Sequence, residues 1–394
     1  MRLALLGRYL CCLGFLQAQP ALASLYHDYN SEPEDGALDP GSYLDRWNLP
    51  FIPVPKIITE PAVGTGLGLA MVFFHESDEQ KAEKNDDKLV PENISLAGLA
   101  FTSNGSRGYG LAHLGFWRDD SIRYRGFLAY SDFNIDFYSF AGLPLSNGVG
   151  LNIRGPVVLQ DLKLRVPGTP WFLGVKQLYR KVSLSLEDEI PLPNPALQQK
   201  VNDYLNRHLG EKGTTSGLGL VAEFDSRDSP IDPQRGFNYG AQYMRFDDAL
   251  GSDYDYASYR IKGLNYWVLS PALDLGVRLQ YDGISVNDDV LLPPYIPPSI
   301  NLRGIPASRY QGNAVAVTEA ELTWKVKPRW RLKGFVGTGR AADKFNELGE
   351  ADAANSIGGG FRYMVAERYG FAMGVDVARG PEESAVYIQA GSTW

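Results

Sequence analysis

The sequence holds two cysteines, four histidines and, past its first residues, no uninterrupted apolar run of the ~20 residues that a membrane-spanning helix needs. Each shortage excludes something. Cys11 and Cys12 both fall within the first 23 residues, so a chain cleaved after Ala23 has no disulfide to staple it. His27, His75, His113 and His208 are scattered, without His-x-x-x-His spacing or a Gly-x-Ser-x-Gly elbow, and therefore nominate neither a zinc site nor a nucleophile. No metal, no cofactor and no enzymatic activity are expected. Lys and Arg number 38 against 46 Asp and Glu, an acidic balance that argues against nucleic-acid partners.

What is present begins with an export signature. Arg2 and Arg8 precede an apolar stretch from Tyr9 to Leu16, and Ala21-Leu22-Ala23 supplies a small-x-small cleavage pattern; residues 1–23 thus read as a signal peptide. Residues 24–60 are rich in Pro, Gly, Asp and Tyr, and Pro50, Pro53, Pro55 and Pro61 predict an irregular periplasmic segment. The remainder, 61–394, is dense in Gly, Tyr and Phe and alternates with period two. From Pro271 to Asp282, Leu273, Leu275, Val277, Leu279 and Tyr281 take one face while Asp274, Gly276, Arg278, Gln280 and Asp282 take the other. Segments 329–340 and 356–366 repeat the pattern.

Long alternating segments ending in Tyr and Trp, behind an export signal, predict a transmembrane β-barrel with aromatic girdles. Sixteen antiparallel strands are expected, at 62–75, 92–103, 107–118, 121–131, 133–142, 148–165, 170–184, 213–225, 236–247, 254–269, 271–286, 312–326, 328–340, 354–366, 369–380 and 384–394. Short turns should then be periplasmic and long loops extracellular, the charged stretch 76–93 being the first long loop. Within 187–213, Leu197, Val201, Tyr204, Leu205 and Leu209 approximate one face of a short helix. Gly217-Leu218-Gly219-Leu220-Val221-Ala222 fits a dinucleotide-binding glycine pattern in form alone, because no helix pattern follows it.

Three strings resemble the BamA/TamA family of outer-membrane barrels. Asp225-Ser226-Arg227-Asp228, continued by Pro233-Gln234-Arg235-Gly236, looks like that family's turn between strands eight and nine. Arg303-Gly304-Ile305 looks like its Arg-Gly-aromatic loop motif, with Ile305 in the aromatic position. Gly312 to Glu321 resembles its twelfth strand, Glu321 standing at the acidic position with Glu319 on the same face. The resemblance implies a loop folded into the lumen, Arg303 meeting Glu321 and Glu319 on the inner wall. On strand thirteen Gly337 stands where the family carries an Asp, which implies one acidic partner fewer. Trp394 ends an alternating strand like the terminal signal that barrel-assembly machinery reads. The family's usual periplasmic domains have no counterpart in 24–60.

The function implied is insertion or translocation of protein or lipid at the bacterial outer membrane, through a weak seam between the first and last strands, softened by Gly64, Gly66, Gly68 and Gly391. A second reading is an anion-favouring channel lined by Arg260, Lys262, Arg278, Arg329, Arg331 and Lys333. A third, a lipid-modifying enzyme, needs an exposed Ser/His pair near the bilayer rim, and the sequence nominates none.

Overall fold

The computed structural model describes residues 51–60, 62–75, 92–140, 143–186, 212–230, 232–287, 290, 292–366, 371–391 and 394. The predicted signal peptide and the helix predicted within 187–213 lie outside them. The strands are β1 Ile52–Glu60, β2 Gly64–His75, β3 Asn93–Thr102, β4 Arg107–Trp117, β5 Ile122–Phe140, β6 Leu143–Arg165, β7 Trp171–Leu186 and β8 Lys212–Asp225. They continue as β9 Gly236–Phe246, β10 Tyr256–Ser270, β11 Leu273–Ser285, β12 Ala314–Lys327, β13 Trp330–Ala342, β14 Ala354–Ala366, β15 Phe371–Arg379 and β16 Ser384–Ala390. Each pairs antiparallel with the next in chain order, and β16 returns to lie beside β1, which makes a nearly closed sixteen-stranded transmembrane barrel.

Alternation places the side chains. Leu67, Leu99, Leu111, Leu173, Leu220, Ile261, Leu322 and Val336 point outward and are exposed, whereas Asp161, Lys176, Arg278, Glu319, Arg362 and Asp376 point inward and are buried. An apolar outside and a charged inside suit a chain whose solvent is lipid. Aromatic pairs mark the rim that carries the short turns: Trp117 on Tyr124 at 5.9 Å, Trp171 on Phe224 at 5.4 Å, Phe237 on Trp267 at 6.2 Å and Trp330 on Phe361 at 5.7 Å between centroids. Nearer the other rim, Tyr109 faces Tyr130 at 5.6 Å and Tyr259 faces Tyr281 at 5.9 Å.

The strand total agrees with the sequence, but only because two differences cancel. Residues 52–60, expected to be irregular, form β1 and pair with β2 from Ile52↔Val72 to Glu60↔Gly64. Residues 121–142, expected to be two strands, are the single strand β5, unbroken through Ser131 and Asp132. Strand parity shifts accordingly. His75 and Asn93, the ends of the connection expected to be a long outer loop, sit at the rim of the short turns.

Pro53 and Pro55 explain how β1 tolerates proline. They face Met71 and Leu69, positions that require no proline N–H, so their missing donors lie on the edge turned away from β2. That edge faces β16. Among the described residues no backbone ladder joins β1 to β16; Val386 N instead donates to Thr59 Oγ1 at 3.1 Å. At the short-turn rim, a cluster of Val54, Val72 and Ile94 packs against Val365 and Met373 from the far side of the gap.

Candidate functional site: the loop docked in the lumen

The connection between β11 and β12 runs from residue 286 to 313 and turns inward. Its depth is set by shape. A Cβ on Gly339 would meet Ile300 Cγ2 at 2.6 Å and one on Gly337 would meet Leu302 Cδ2 at 2.7 Å, so the bare backbone of β13 makes two sockets for two loop side chains. Ile300, Leu302 and Ile305 are buried together with Val315, Val317 and Ala354. The tip closes backbone against backbone: Gly304, at φ +85°, sits so near the β15–β16 turn that a Cβ on Gly380 would fall 2.1 Å from Gly304 O. Gly304 N donates to the Tyr387 hydroxyl at 2.9 Å, and Ser356 Oγ donates to the Arg303 carbonyl.

These contacts aim Arg303 at the inner wall. Its Nε donates to Glu319 Oε1 at 2.9 Å, and its Nη1 lies 2.8 Å from Glu321 Oε2 and 2.9 Å from Asp376 Oδ2. The guanidinium carbon also lies over the Phe335 ring, 3.3 Å from its centroid, a cation–π contact strengthened by desolvation. Each carboxylate holds a second cation. Arg278 Nη2 is 3.0 Å from Glu319, Lys333 Nζ donates to Glu321 at 2.5 Å, and Arg362 grips Asp376 with two bonds of 2.6 and 2.8 Å. Buried charges survive only in such mutual compensation.

The structure thus brings together Arg303, Glu319 and Glu321, and it corrects the expectation of a missing acid. Asp376 of β15 supplies the third carboxylate, while Leu302 occupies the space that an acid at position 337 would need. Trp394 is also displaced from its expected place in the last strand. β16 ends at Ala390, Gly391 adopts φ +74°, and the Trp394 indole donates to Glu319 Oε2 at 2.8 Å from inside the lumen. Gly64, Gly66 and Gly68 are corrected as well: they belong to β2, between β1 and β3, and do not border the seam.

The β8–β9 turn enters the lumen from the opposite rim. Asp225 accepts from Arg123 Nη1 at 2.5 Å and from Arg227 at 2.8 and 3.0 Å. Asp228 Oδ1 accepts from the backbone N–H groups of Gln234 and Arg235 at 3.0 and 3.3 Å, closing the turn that Pro233 stiffens. Gly236 holds φ +101°, and any Cβ there would lie 2.3 Å from Ser226 O. From this turn Asp232 reaches Arg331 of β13 at 2.7 Å and Gln234 accepts from Lys325 of β12 at 3.0 Å. A small cavity between this turn and the inner wall is lined by Pro233, Glu321, Lys333, Arg362 and Trp394. Turn and loop therefore brace β12 and β13 from two ends.

Strand order and closure define a sixteen-stranded antiparallel transmembrane β-barrel with a loop docked in its lumen, a fold shared with solved outer-membrane barrels. BamA from Haemophilus ducreyi lacking POTRA domains 1–3 is similar, with a TM-score of 0.51, 12% identity, and coverage of 87% of this chain and 70% of that one. CdiB from Acinetobacter baumannii (TM-score 0.53, 12% identity) and CdiB from Escherichia coli (0.53, 9%) each match over 86% of this chain, which spans 59% and 62% of their lengths. No protein-family model and no curated protein matches the sequence.

Proposed function

We propose that the protein resides in the bacterial outer membrane and promotes insertion or translocation of protein or lipid substrates there, using the β1–β16 seam as its opening. The observation that carries this reading is the seam itself. Fifteen neighbour pairs are zipped by backbone ladders, whereas β1 and β16 are joined in the described residues by a side-chain bond, with Val365 and Met373 of β14 and β15 packing across the gap. Proline at 53 and 55 removes two of the donors that a ladder would need, so opening the wall costs little hydrogen bonding here and much at any other strand pair. The docked loop keeps β12 to β15 rigid while the seam yields. Membrane lipid and the barrel-assembly machinery that inserts such barrels are the partners this role implies.

An anion channel receives less support. Arg260 pairs with Asp282, Arg278 with Glu319, Arg331 with Asp232 and Lys333 with Glu321, so these inner-wall cations neutralise wall carboxylates rather than line an anion path. The seam is tested by Thr59→Cys with Val386→Cys, in a chain lacking Cys11 and Cys12. Reconstituted in liposomes, the reduced double variant is expected to accelerate insertion of a urea-unfolded outer-membrane barrel and the oxidised one to lose that acceleration, recovering it with reductant. Undiminished insertion through the locked barrel would discard the proposal.

A further inference from the structure

The register of β2, β3 and β4 assembles a group that no segment of the sequence announces. Ser95 of β3 lies opposite His113 of β4 and diagonal to His75 of β2. Its Oγ is 2.9 Å from His113 Nδ1 and 3.0 Å from His75 Nε2. All three residues share the parity of Leu67, Leu69, Leu99, Leu111 and Tyr109, which are exposed on the outer wall; the group faces lipid. Ser95 is one outward position in from Asn93, the first residue of its strand, hence within about 7 Å of the strand end. That is the rim where Trp117 stacks on Tyr124, and His113 is 6.5 and 6.2 Å from these two rings.

Polar side chains on the lipid face of a barrel are unfavourable, and the cost grows with depth. Three on adjacent strands, joined into one hydrogen-bonded chain, mark a place where function opposes stability. A groove of about 480 Å³ starts at Ser95, His113 and Tyr124 and runs along an outer wall of Ala97, Leu111, Gly126 and Leu128. Gly126 keeps it open, since a Cβ there would meet the Tyr124 hydroxyl at 2.6 Å. Such a groove accepts an acyl chain lying against the wall, which sets the ester linkage of a bilayer lipid at the level of the aromatic belt, beside Ser95.

We propose that Ser95 is the nucleophile of an esterase site acting on acyl-ester lipids, with His113 as its general base and His75 positioning the hydroxyl. A serine hydroxyl has one proton, so it donates to one imidazole and accepts from the N–H of the other; this arrangement fixes the direction of Oγ. In the reaction Oγ attacks the ester carbonyl carbon as its proton passes to His113. The tetrahedral adduct collapses, the bond from carbonyl carbon to glycerol oxygen breaks, and the imidazolium protonates the departing alkoxide. Water, deprotonated by the same imidazole, then attacks the acyl-serine, releasing the fatty acid and restoring Ser95. Asn93, whose Oδ1 accepts from Trp117 Nε1 at 2.7 Å, places its amide N–H donors on this face, where charge develops on the carbonyl oxygen. None of these groups belongs to the seam or the docked loop, so the activity is separable from translocation.

The experiment uses the folded barrel in mixed micelles containing phosphatidylethanolamine, with fatty acid and lysolipid release as one readout and fluorophosphonate labelling, mapped by peptide, as another. The wild-type barrel is expected to release the two products in equal amounts and to be labelled at Ser95. Ser95→Ala should lose at least 100-fold in release and all labelling while keeping the mobility of folded barrel on an unheated gel. His113→Phe should lose both readouts, and His75→Asn should retain labelling but shift the pH profile of release. The oxidised Thr59→Cys/Val386→Cys chain should hydrolyse lipid normally. Release equal in wild type and Ser95→Ala, absence of release from both, or labelling at another serine would overturn the assignment.

Discussion

Arg303→Ala is expected to lower the thermal unfolding temperature of the folded barrel by roughly 6–12 °C and to expose the β11–β12 loop to protease. The guanidinium touches three carboxylates and an aromatic face at once, and its neighbours are themselves buried. Truncating one partner of a buried ion pair costs about 3–5 kcal/mol, because the opposing charge stays behind without compensation. Here the lower end applies, since Glu319, Glu321 and Asp376 each retain a second cation in Arg278, Lys333 and Arg362. About 3 kcal/mol corresponds to the stated range at ~2–4 °C per kcal/mol for large domains. Arg303→Lys should recover only part of it, a point charge being unable to fork between Glu319 and Glu321 while stacking on Phe335. The check is the temperature at which the unheated-gel mobility of folded barrel is lost; an unchanged midpoint with a protected loop would mean that Ile300, Leu302 and the Gly304–Gly380 contact hold the loop unaided.

How much of this was legible in the sequence depended on the distance over which a residue finds its partner. The inward-outward alternation of β11 to β14 was readable because its period is local. The Asp225-to-Gly236 turn was readable too, because its bonds close within a dozen residues. Arg303 and Glu321 could be matched through family resemblance, yet Asp376 could not: it sits on β15, and only barrel curvature brings it against the same guanidinium. The fit of Leu302 into the space above Gly337 was equally hidden, so an unfilled position looked like a lost acid. β1 was missed because proline normally excludes a central strand, and the rule relaxes at a seam where one edge needs no donors. β5 was divided because Ser131-Asp132 mimics a turn; in the fold Asp132 faces Arg107 across the β4 ladder and accepts its Nε at 3.1 Å. The Ser95 group was invisible for the simplest reason, its members being contributed by three strands whose register no local pattern states.

Gly380→Ala is expected to reproduce much of the Arg303→Ala defect without removing any charge. The added methyl would lie 2.1 Å from Gly304 O and 3.3 Å from Ile305 Cγ1, and the first contact is with backbone, which cannot rotate aside. The loop tip must therefore withdraw by about 1 Å, against an overpacking cost of ~1–3 kcal/mol. Arg303 is adjacent in sequence, and its 2.8–2.9 Å contacts do not survive such a displacement intact, so loss of hydrogen bonding adds to the steric cost. Gly240→Ala is the matched control on β9: a Cβ there meets nothing within 4 Å, and the unfolding midpoint should not move. Combining Arg303→Ala with Gly380→Ala then separates two accounts. If the glycine matters because it lets the arginine dock, the second substitution adds little to the first, since contacting groups in one network are not additive. If the two losses sum, Gly380 serves the β15–β16 turn alone and the loop tip is held by other contacts.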